Sequence, residues 1–166
     1  MSGSGSGSGS AGQSPEFYPM PAFPTLRVRD LAGSARWYQH VLGFQAVYEL
    51  PGSDGLPMLV HLRRARYQDI LLLAAPELPV ETLVGLGVAL NFSVEEGLRT
   101  LANRVRGSGA SAKGPTARPW NVRELVVQDP DGYRLVFSEP IDRERPFDAV
   151  VEAIRQESDP ARDQKG

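Results

Sequence analysis

Few side chains of this sequence could carry acid–base or metal chemistry. Its 166 residues include two histidines and no cysteine, which excludes disulfides, thiolate ligands and cysteine nucleophiles. His40 belongs to the polar side of a predicted helix, so we expect it at the surface. His61 is central in a predicted strand and faces either a cavity or solvent. Facing a cavity, it would be a lone imidazole, which favours hydrogen bonding over general-base catalysis.

Other side chains are candidates for contacting a ligand. Trp120 lies in a predicted loop, from which an aromatic ring can either stack on a planar ligand or pack against the loop. Asn91 shares a strand face with Ala89 and either orients a ligand or completes a buried hydrogen-bonded pair. Tyr48 either lines a cavity or packs along its strand. These residues become a site only if the fold brings their strands together.

The segment over residues 124–140 organises the rest of the chain. Two short apolar runs flank an Asp-Pro-Asp-Gly sequence at 129–132, in which proline presets the first central turn position and glycine accepts the fourth. This pattern predicts a β-hairpin. Glu124 begins the hairpin, where it either receives a cationic ligand or forms a surface ion pair with Arg123 or Arg134.

Apolar spacings predict that one strand–helix–strand–strand–strand unit occurs twice. In the first unit, the expected elements after a strand containing Leu26 and Val28 are a helix over 31–42 and strands over 44–50, 58–64 and 69–75. In the second unit, they are a strand over 88–94, a helix over 95–106, a strand near 110–115 and the hairpin. A shift of 66 residues places Val28 on Val94 and Gly43 on Gly109.

Composition and charge exclude several classes of protein. The chain is 41% hydrophobic, but no apolar run approaches the length of a membrane span. Residues 23–140 hold 13 basic and 12 acidic side chains, a net charge near +1. This near-neutral domain lacks the basic stripe of a nucleic-acid-binding protein. With no cysteine and no signal-peptide pattern, we expect a cytoplasmic protein.

The two ends of the chain are expected to lie outside the domain. Residues 1–22 are predicted to form a flexible Gly-Ser leader and an extended proline-rich lead-in. The domain is expected over residues 23–140, with modules of about 23–77 and 86–140. Residues 141–166 are predicted to add a helix over 145–157, docked on the domain or on a partner chain, and a frayed tail.

The sequence resembles the vicinal oxygen chelate superfamily in its stretches LRVRDLAGSARWYQHVLGF and PWNVRELVVQDPDGYRLVFSEP. That superfamily includes glyoxalase I, extradiol dioxygenases, fosfomycin-resistance enzymes and bleomycin-resistance proteins. The resemblance covers about residues 23–140. It implies an α+β fold of paired βαβββ modules whose sheets curl around a cavity, with the site in that cavity or at a dimer interface. A homodimer is therefore expected.

Enzymes of this superfamily hold a divalent metal with His and Glu side chains from the first and last strands of each module. The resemblance places these positions on Phe23, Leu72, Ala89 and Val136, with Leu71 as the one-residue alternative to Leu72. All are apolar, whereas a divalent metal needs oxygen or imidazole donors. We therefore expect no metal and no other cofactor.

The resemblance then implies non-catalytic binding of a small aromatic or amphipathic molecule, as in the bleomycin-resistance proteins that sequester antibiotics. The neutral domain favours an uncharged or weakly charged natural product over a strongly cationic drug. The expected ligand-binding residues combine an apolar set with polar and aromatic neighbours: Phe23, Tyr48, His61, Leu72, Ala89, Asn91, Trp120, Glu124 and Val136.

Two other functions are compatible with the sequence. The first is a metal-dependent lyase, isomerase or dioxygenase of the same fold with relocated ligands, for which His61, Glu49 and Glu124 are the available donors. The second is a structural or regulatory interaction module that acts through the C-terminal helix, which predicts a filled cavity.

Overall fold

The computed structural model describes residue 16 and residues 18–79 and 85–157. The expected Gly-Ser leader and the tail after residue 157 lie outside these ranges. The described residues form strands and helices in the order β1 Thr25–Val28, α1 Leu31–Trp37, β2 Gln45–Pro51, β3 Pro57–Arg63, β4 Asp69–Ala74, β5 Ala89–Ser93, α2 Leu98–Gly107, β6 Ala112–Arg118, β7 Val122–Gln128, β8 Arg134–Pro140 and α3 Phe147–Glu157.

The strands form two four-stranded sheets with the same topology. The strand orders are β1-β4-β3-β2 and β5-β8-β7-β6. In each sheet the first strand runs parallel to the last, and the other neighbours are antiparallel. Each unit is therefore one βαβββ module, and the predicted α+β fold of paired modules is confirmed.

The 66-residue repeat is visible where each module's helix ends. The α1 helix continues as one π-helical segment, Tyr38–Leu42, that stops at Gly43, and α2 is followed by Gly109. These glycines have φ of 77° and 79°, a left-handed conformation that glycine adopts without a Cβ penalty. Left-handed glycines 66 positions apart therefore follow the two helices.

The hydrophobic core lies between each sheet and its own helix. The predicted helical stripe is confirmed, since Leu31, Ala35, Tyr38 and Leu42 are all buried. From the sheets, the core takes every second strand residue, as the alternation of side chains requires. In the second module, for example, Leu125, Leu135 and Phe137 have no exposed surface.

The turn of the predicted hairpin joins the two modules. Asp129 accepts a hydrogen bond of 2.8 Å from the Tyr38 hydroxyl. Asp131 accepts bonds from the backbone N–H of Arg29 at 3.1 Å, from its guanidinium at 3.0 Å and from the Ser34 hydroxyl at 3.2 Å. The hairpin is confirmed. In addition, its two turn aspartates bond to the start of the first module, more than 90 residues away.

The C-terminal helix stands apart from the core. None of the α3 residues is buried, and the Phe147 side chain is 78% exposed. The helix is present as predicted, but it does not bury its apolar stripe against the domain. Within the described ranges, no helix is long and apolar enough to cross a membrane.

Candidate functional site

Each sheet has one face against its helix and one face turned away from it. We call the face turned away from the helix the open face. The first open face belongs to the sheet of β1–β4, and the second open face belongs to the sheet of β5–β8. Strand alternation, together with the burial of the intervening residues, places Tyr48, His61, Arg63, Asp69, Leu71 and Leu73 on the first open face. The same reasoning places Ala89, Asn91, Lys113, Thr116, Glu124, Val126, Arg134 and Val136 on the second.

One expected site residue lies on the wrong side of its strand. Leu72 pairs with Leu26, has no exposed surface and belongs to the hydrophobic core against the helices. Its neighbour Leu71 pairs with Thr25 and His61 on the first open face. The expectation for Leu72 is therefore corrected to Leu71, because a shift of one strand residue changes the face.

The N-terminal lead-in covers part of the first open face. Tyr18 is only 8% exposed, and its ring lies 4.9 Å from that of Tyr67, edge to face. The Arg63 guanidinium lies over the Tyr18 ring, 4.1 Å from its centroid, a geometry that favours cation–π attraction. A pocket of ≈ 430 Å³ remains beside the lead-in, lined by Glu16, Tyr18, Met20, Val47, Tyr48, His61 and Arg63.

Asp69 begins β4 on this face and has almost no solvent contact. It accepts hydrogen bonds of 2.7 Å from the Tyr18 hydroxyl, from Arg63 Nε and from His61 Nε2. Burial by itself raises the pKa of a carboxyl group, but the bonds from Tyr18, His61 and Arg63 outweigh it and lower the pKa of Asp69. His61 is thus a hydrogen-bond partner of a carboxylate, one of the two roles expected for it.

The second open face has an apolar floor within a charged rim. Val126 lies opposite Val136 in the β7–β8 register, and Val136 lies opposite Asn91. Val136 is 5% exposed and lies outside the main core cluster. The adjoining pocket has a volume of ≈ 310 Å³ and is lined by Ser111, Lys113, Thr116, Arg118, Glu124, Val126, Val127, Gln128 and Arg134.

Glu124 forms hydrogen bonds with one side chain at the end of β6 and one in the β6–β7 connection. Its Oε2 accepts a 2.9 Å bond from Arg118 Nε, and its Oε1 accepts a 3.0 Å bond from Trp120 Nε1. The ion pair therefore involves Arg118, whereas the sequence suggested Arg123 or Arg134. The indole of Trp120 stays 45% exposed at the rim of the second open face.

A bulge shapes the β6 edge of this pocket. The β6–β7 register shifts between Lys113 and Thr116, and Gly114 within the shift has a φ of +95°. A Cβ on Gly114 would lie 2.3 Å from the backbone oxygen of Glu124, so only glycine fits. Bulges redirect the side chains beside them, and here those are Lys113 and Thr116.

The structure separates the donors considered for a relocated metal site. His61 is on the first open face and Glu124 on the second, whereas Glu49 lines a pocket between β2 and α1. Across the described ranges, no group of three or more His, Cys, Asp or Glu side chains could hold a metal ion. Within the described ranges, the three donors therefore lie in separate places and do not form one cluster.

Of the remaining expected residues, Tyr48 lies on the first open face, and Ala89 and Asn91 lie on the second. Tyr48 pairs with His61 and is 56% exposed, and Phe23, just before β1, is 41% exposed. On the other sheet, Ala89 pairs with Arg134. Asn91 is exposed and hydrogen-bonds the Ala89 carbonyl at 3.3 Å. His40 is exposed on its helix, as expected.

Sequence reasoning missed several residues of these faces, among them Tyr18, Asp69, Lys113 and Arg118. Arg118 lies beyond the strand predicted over 110–115, whereas Lys113 lies within it, next to a register shift that interrupts the two-residue alternation of β6. Tyr18 lies among prolines and Asp69 at the start of a strand, and neither carries a local signal for its contacts. Their link spans 51 residues.

Comparison with known families gives one match over most of the chain. The model for the Glyoxalase/Bleomycin resistance protein/Dioxygenase superfamily matches residues 22–137. That range contains both modules except the last three residues of β8. Among curated proteins, no match was found.

Solved structures share the fold at low sequence identity. A glyoxylase/bleomycin resistance protein/dioxygenase domain from Frankia sp. EAN1pec is 22% identical, covering 75% of this chain and 99% of that one, with a TM-score of 0.61. The fosfomycin resistance protein FosX from Listeria monocytogenes is 15% identical, covering 78% and 95%, with a TM-score of 0.58. TnmS3, an antibiotic binding protein from Streptomyces sp. CB03234, is 20% identical, covering 71% and 93%, with a TM-score of 0.54.

Proposed function

Because this chain belongs to the glyoxalase/bleomycin resistance protein/dioxygenase superfamily, we propose that it binds a small aromatic or amphipathic molecule without transforming it. In this proposal the ligand lies on an open face, where apolar floor residues bury it and polar rim residues orient it. Burying apolar surface contributes about 25 cal/mol per Å².

One observation carries the proposal: the positions that would hold a catalytic metal are occupied by apolar side chains. The family resemblance assigns these metal-ligand positions to Phe23, Leu71, Ala89 and Val136. Hydrocarbon side chains have no lone pair for a divalent ion, but they provide the contact surface that a ligand pocket needs. Binding is thus better supported than metal-dependent chemistry.

The second open face is the better supported location for the ligand. Its valine floor and the exposed Trp120 ring offer a planar molecule apolar contact, and Asn91 offers it a hydrogen-bonding amide. An antibiotic binding protein among the structures of the same fold adds support for a small-molecule ligand.

The proposal is tested by measuring binding and chemical fate together. A panel of aromatic natural products is titrated into the full-length protein, with tryptophan fluorescence and thermal shift as readouts. Bound compounds are then recovered and analysed by mass spectrometry. We expect saturable binding of at least one compound, recovered with unchanged mass; conversion of a compound by the metal-supplemented protein would overturn the proposal, as would failure of the whole panel to bind.

A tryptophan variant locates the bound compound. Trp120→Phe leaves Trp37, which is partly buried against the core, as the remaining tryptophan. We expect the variant to retain the ligand's thermal shift while losing the fluorescence change. A fluorescence change that persists in the variant would place the ligand away from the second open face.

We also propose that the protein forms a homodimer. Large apolar side chains remain exposed along β2, β3 and their connection: Tyr48, Leu50, Leu56 and Met58. Exposed apolar surface of this kind is typical of protein interfaces. Sedimentation equilibrium of the full chain is expected to give twice the 18.1 kDa chain mass, and a concentration-independent monomer would contradict it.

A further inference from the structure

We propose that the second open face binds the acidic group of an anionic, aromatic ligand. The inference rests on the proposed function and adds the ligand's charge to it. The pocket on this face is lined by three cationic side chains and one carboxylate: Lys113, Arg118, Arg134 and Glu124. This local excess of positive charge does not follow from the domain as a whole, whose 13 basic and 12 acidic residues nearly cancel.

The single carboxylate is not available to a cationic ligand. Glu124 uses one oxygen to accept from Arg118 and the other to accept from Trp120, and its side chain is only 14% exposed. Arg118 in turn has its charge balanced by Glu124. The pair is therefore close to neutral, and it holds the indole ring in place at the rim.

Lys113 and Arg134 keep their charges uncompensated. Both are exposed, and within the described part of the chain neither side chain has a hydrogen bond or an ion pair. An anionic ligand group would find two cations that need not first break a bond inside the protein. Charge-assisted hydrogen bonds from such groups are stronger than neutral ones.

The strand register places these cations around the apolar floor. Lys113 lies opposite Val126, which lies opposite Val136, and Arg134 precedes Val136 by two residues on β8. With strands about 4.8 Å apart, long side chains from β6 and β8 can reach one acidic group above the β7 valine. An aromatic body on the valine floor would then extend towards Trp120.

The first open face provides an internal contrast. Its buried charged group is Asp69, which already has three hydrogen-bond donors, and Tyr18 covers it. The Arg63 cation is bound to that carboxylate. The Arg27 cation, placed on the same face by its pairing with β4, is bound to Glu77. Among the described residues, this face therefore offers no pair of cations without a carboxylate partner, and the acidic group of a ligand is assigned to the second face.

Two fluorescent probes that differ by one charge test the inference. The anionic probe is 8-anilinonaphthalene-1-sulfonate, and its uncharged counterpart is N-phenyl-1-naphthylamine, which has the same aromatic body without the sulfonate. We expect the sulfonate to bind the full-length protein more tightly by about tenfold, the factor that a charged hydrogen bond supplies. Its affinity should weaken as salt screens the cations.

Variants that remove charge test whether Lys113 and Arg134 cause the tighter binding of the sulfonate probe. The double variant Lys113→Gln/Arg134→Gln should lose about tenfold in affinity for the sulfonate and keep its affinity for the uncharged probe. The matched control is Arg123→Gln, which removes a cation from the opposite face of β7, where Arg123 lines a different pocket. This control should leave the affinities for both probes unchanged.

The outcomes separate this inference from the proposed function. Equal affinities for the two probes, or a sulfonate affinity that the double variant retains, would overturn the anionic assignment and leave small-molecule binding standing. If neither probe bound and the natural-product panel also failed, both proposals would fall. The substituted residues are exposed, and their side chains make no hydrogen bond or ion pair with any described residue. We therefore expect every variant to keep the circular dichroism spectrum of the wild type, which verifies that it is folded.

Discussion

Asp69 illustrates how a single buried charge is stabilised in this fold. Its side chain is 1% exposed, and desolvation alone would favour the neutral acid. Three donors, from Tyr18, His61 and Arg63, favour the ionised form instead, so the pKa of Asp69 is lowered. The contact also ties the N-terminal lead-in to the first sheet.

The lowered pKa predicts how stability depends on pH. A carboxyl group whose folded-state pKa is depressed stabilises the protein above its ordinary value of 3.8, and the contribution disappears as the pH falls through the lower folded value. We expect Asp69→Asn to cost about 1–3 kcal/mol of unfolding free energy at pH 7. The difference from wild type should shrink as the pH falls below 3.8, as measured by urea denaturation across pH.

The pKa of Asp129 is shifted in the opposite direction from that of Asp69. Burial raises the pKa of Asp129, even though Tyr38 and two backbone N–H groups donate to its carboxylate. A carboxyl group with a raised folded-state pKa stabilises the folded protein fully at low pH, and this stabilisation is lost as the pH rises. If the difference between wild type and Asp69→Asn grew on acidification, as expected for Asp129, the interpretation of Asp69 would be wrong.

The β7–β8 hairpin, as an element, has a structural role that its turn sequence does not reveal. The Asp-Pro-Asp-Gly sequence forms the turn, and both aspartates then use their side chains to bond the first module. Tyr133, just after the turn, donates its hydroxyl to the Arg27 carbonyl and accepts from the Arg27 N–H, both at 3.1 Å. The turn therefore couples the stabilities of the two modules.

Removing one turn aspartate should destabilise the whole domain. Asp131→Ala leaves the Arg29 guanidinium, whose side chain is 19% exposed, without this carboxylate. We expect a loss of about 2–3 kcal/mol, measured by chemical denaturation. The control, Asp54→Ala, removes an aspartate that bonds only within an exposed loop, and it should cost about 0.5 kcal/mol or less. Equal losses would contradict a coupling role for the hairpin turn.

The bulge in β6 contains a glycine, Gly114, that we expect to be sensitive to substitution. Gly109 and Gly114 both have positive φ, but only Gly114 approaches another backbone atom closely. Gly109→Ala should cost about 1 kcal/mol from backbone strain alone. Gly114→Ala should cost about 3 kcal/mol and disturb the pocket, since its Cβ meets the Glu124 carbonyl. Thermal denaturation of the two variants distinguishes backbone strain from a steric clash. Similar losses of stability would show that the close approach of Gly114 to Glu124 has no energetic consequence.

Across the whole molecule, two modules of one topology have acquired different open faces. The first contains a buried carboxylate and is partly covered by the lead-in. The second has a valine floor beside two cations that pair with none of the described residues. The repeated βαβββ topology therefore does not produce two equivalent open faces. This asymmetry is why we propose one principal ligand site in each chain.

The whole-molecule prediction concerns divalent metals. A metal that binds only the folded protein, at 100 times its Kd, would add about 2.7 kcal/mol to stability. We expect Ni²⁺, Zn²⁺, Mn²⁺ and Fe²⁺ to produce no such gain, because the corresponding positions are apolar and the remaining donors are dispersed. Thermal denaturation with each metal, compared with a chelator control, measures the change in stability. Stabilisation with one metal bound per chain would contradict this prediction and favour the enzymatic function.

The sequence by itself determined the repeat and the hairpin, because apolar periodicity, helix-ending glycines and turn residues act over a few positions. Its family resemblance implied the fold class, and it assigned apolar residues of this chain to the positions where enzymes of that family hold a metal. Tertiary structure alone decided that Leu71, and not Leu72, lies on the open face, since strand register depends on pairing with distant strands. It likewise decided that Glu124 pairs with Arg118 and that Tyr18 covers Asp69. These contacts join side chains whose partners are selected by packing, which no local pattern encodes.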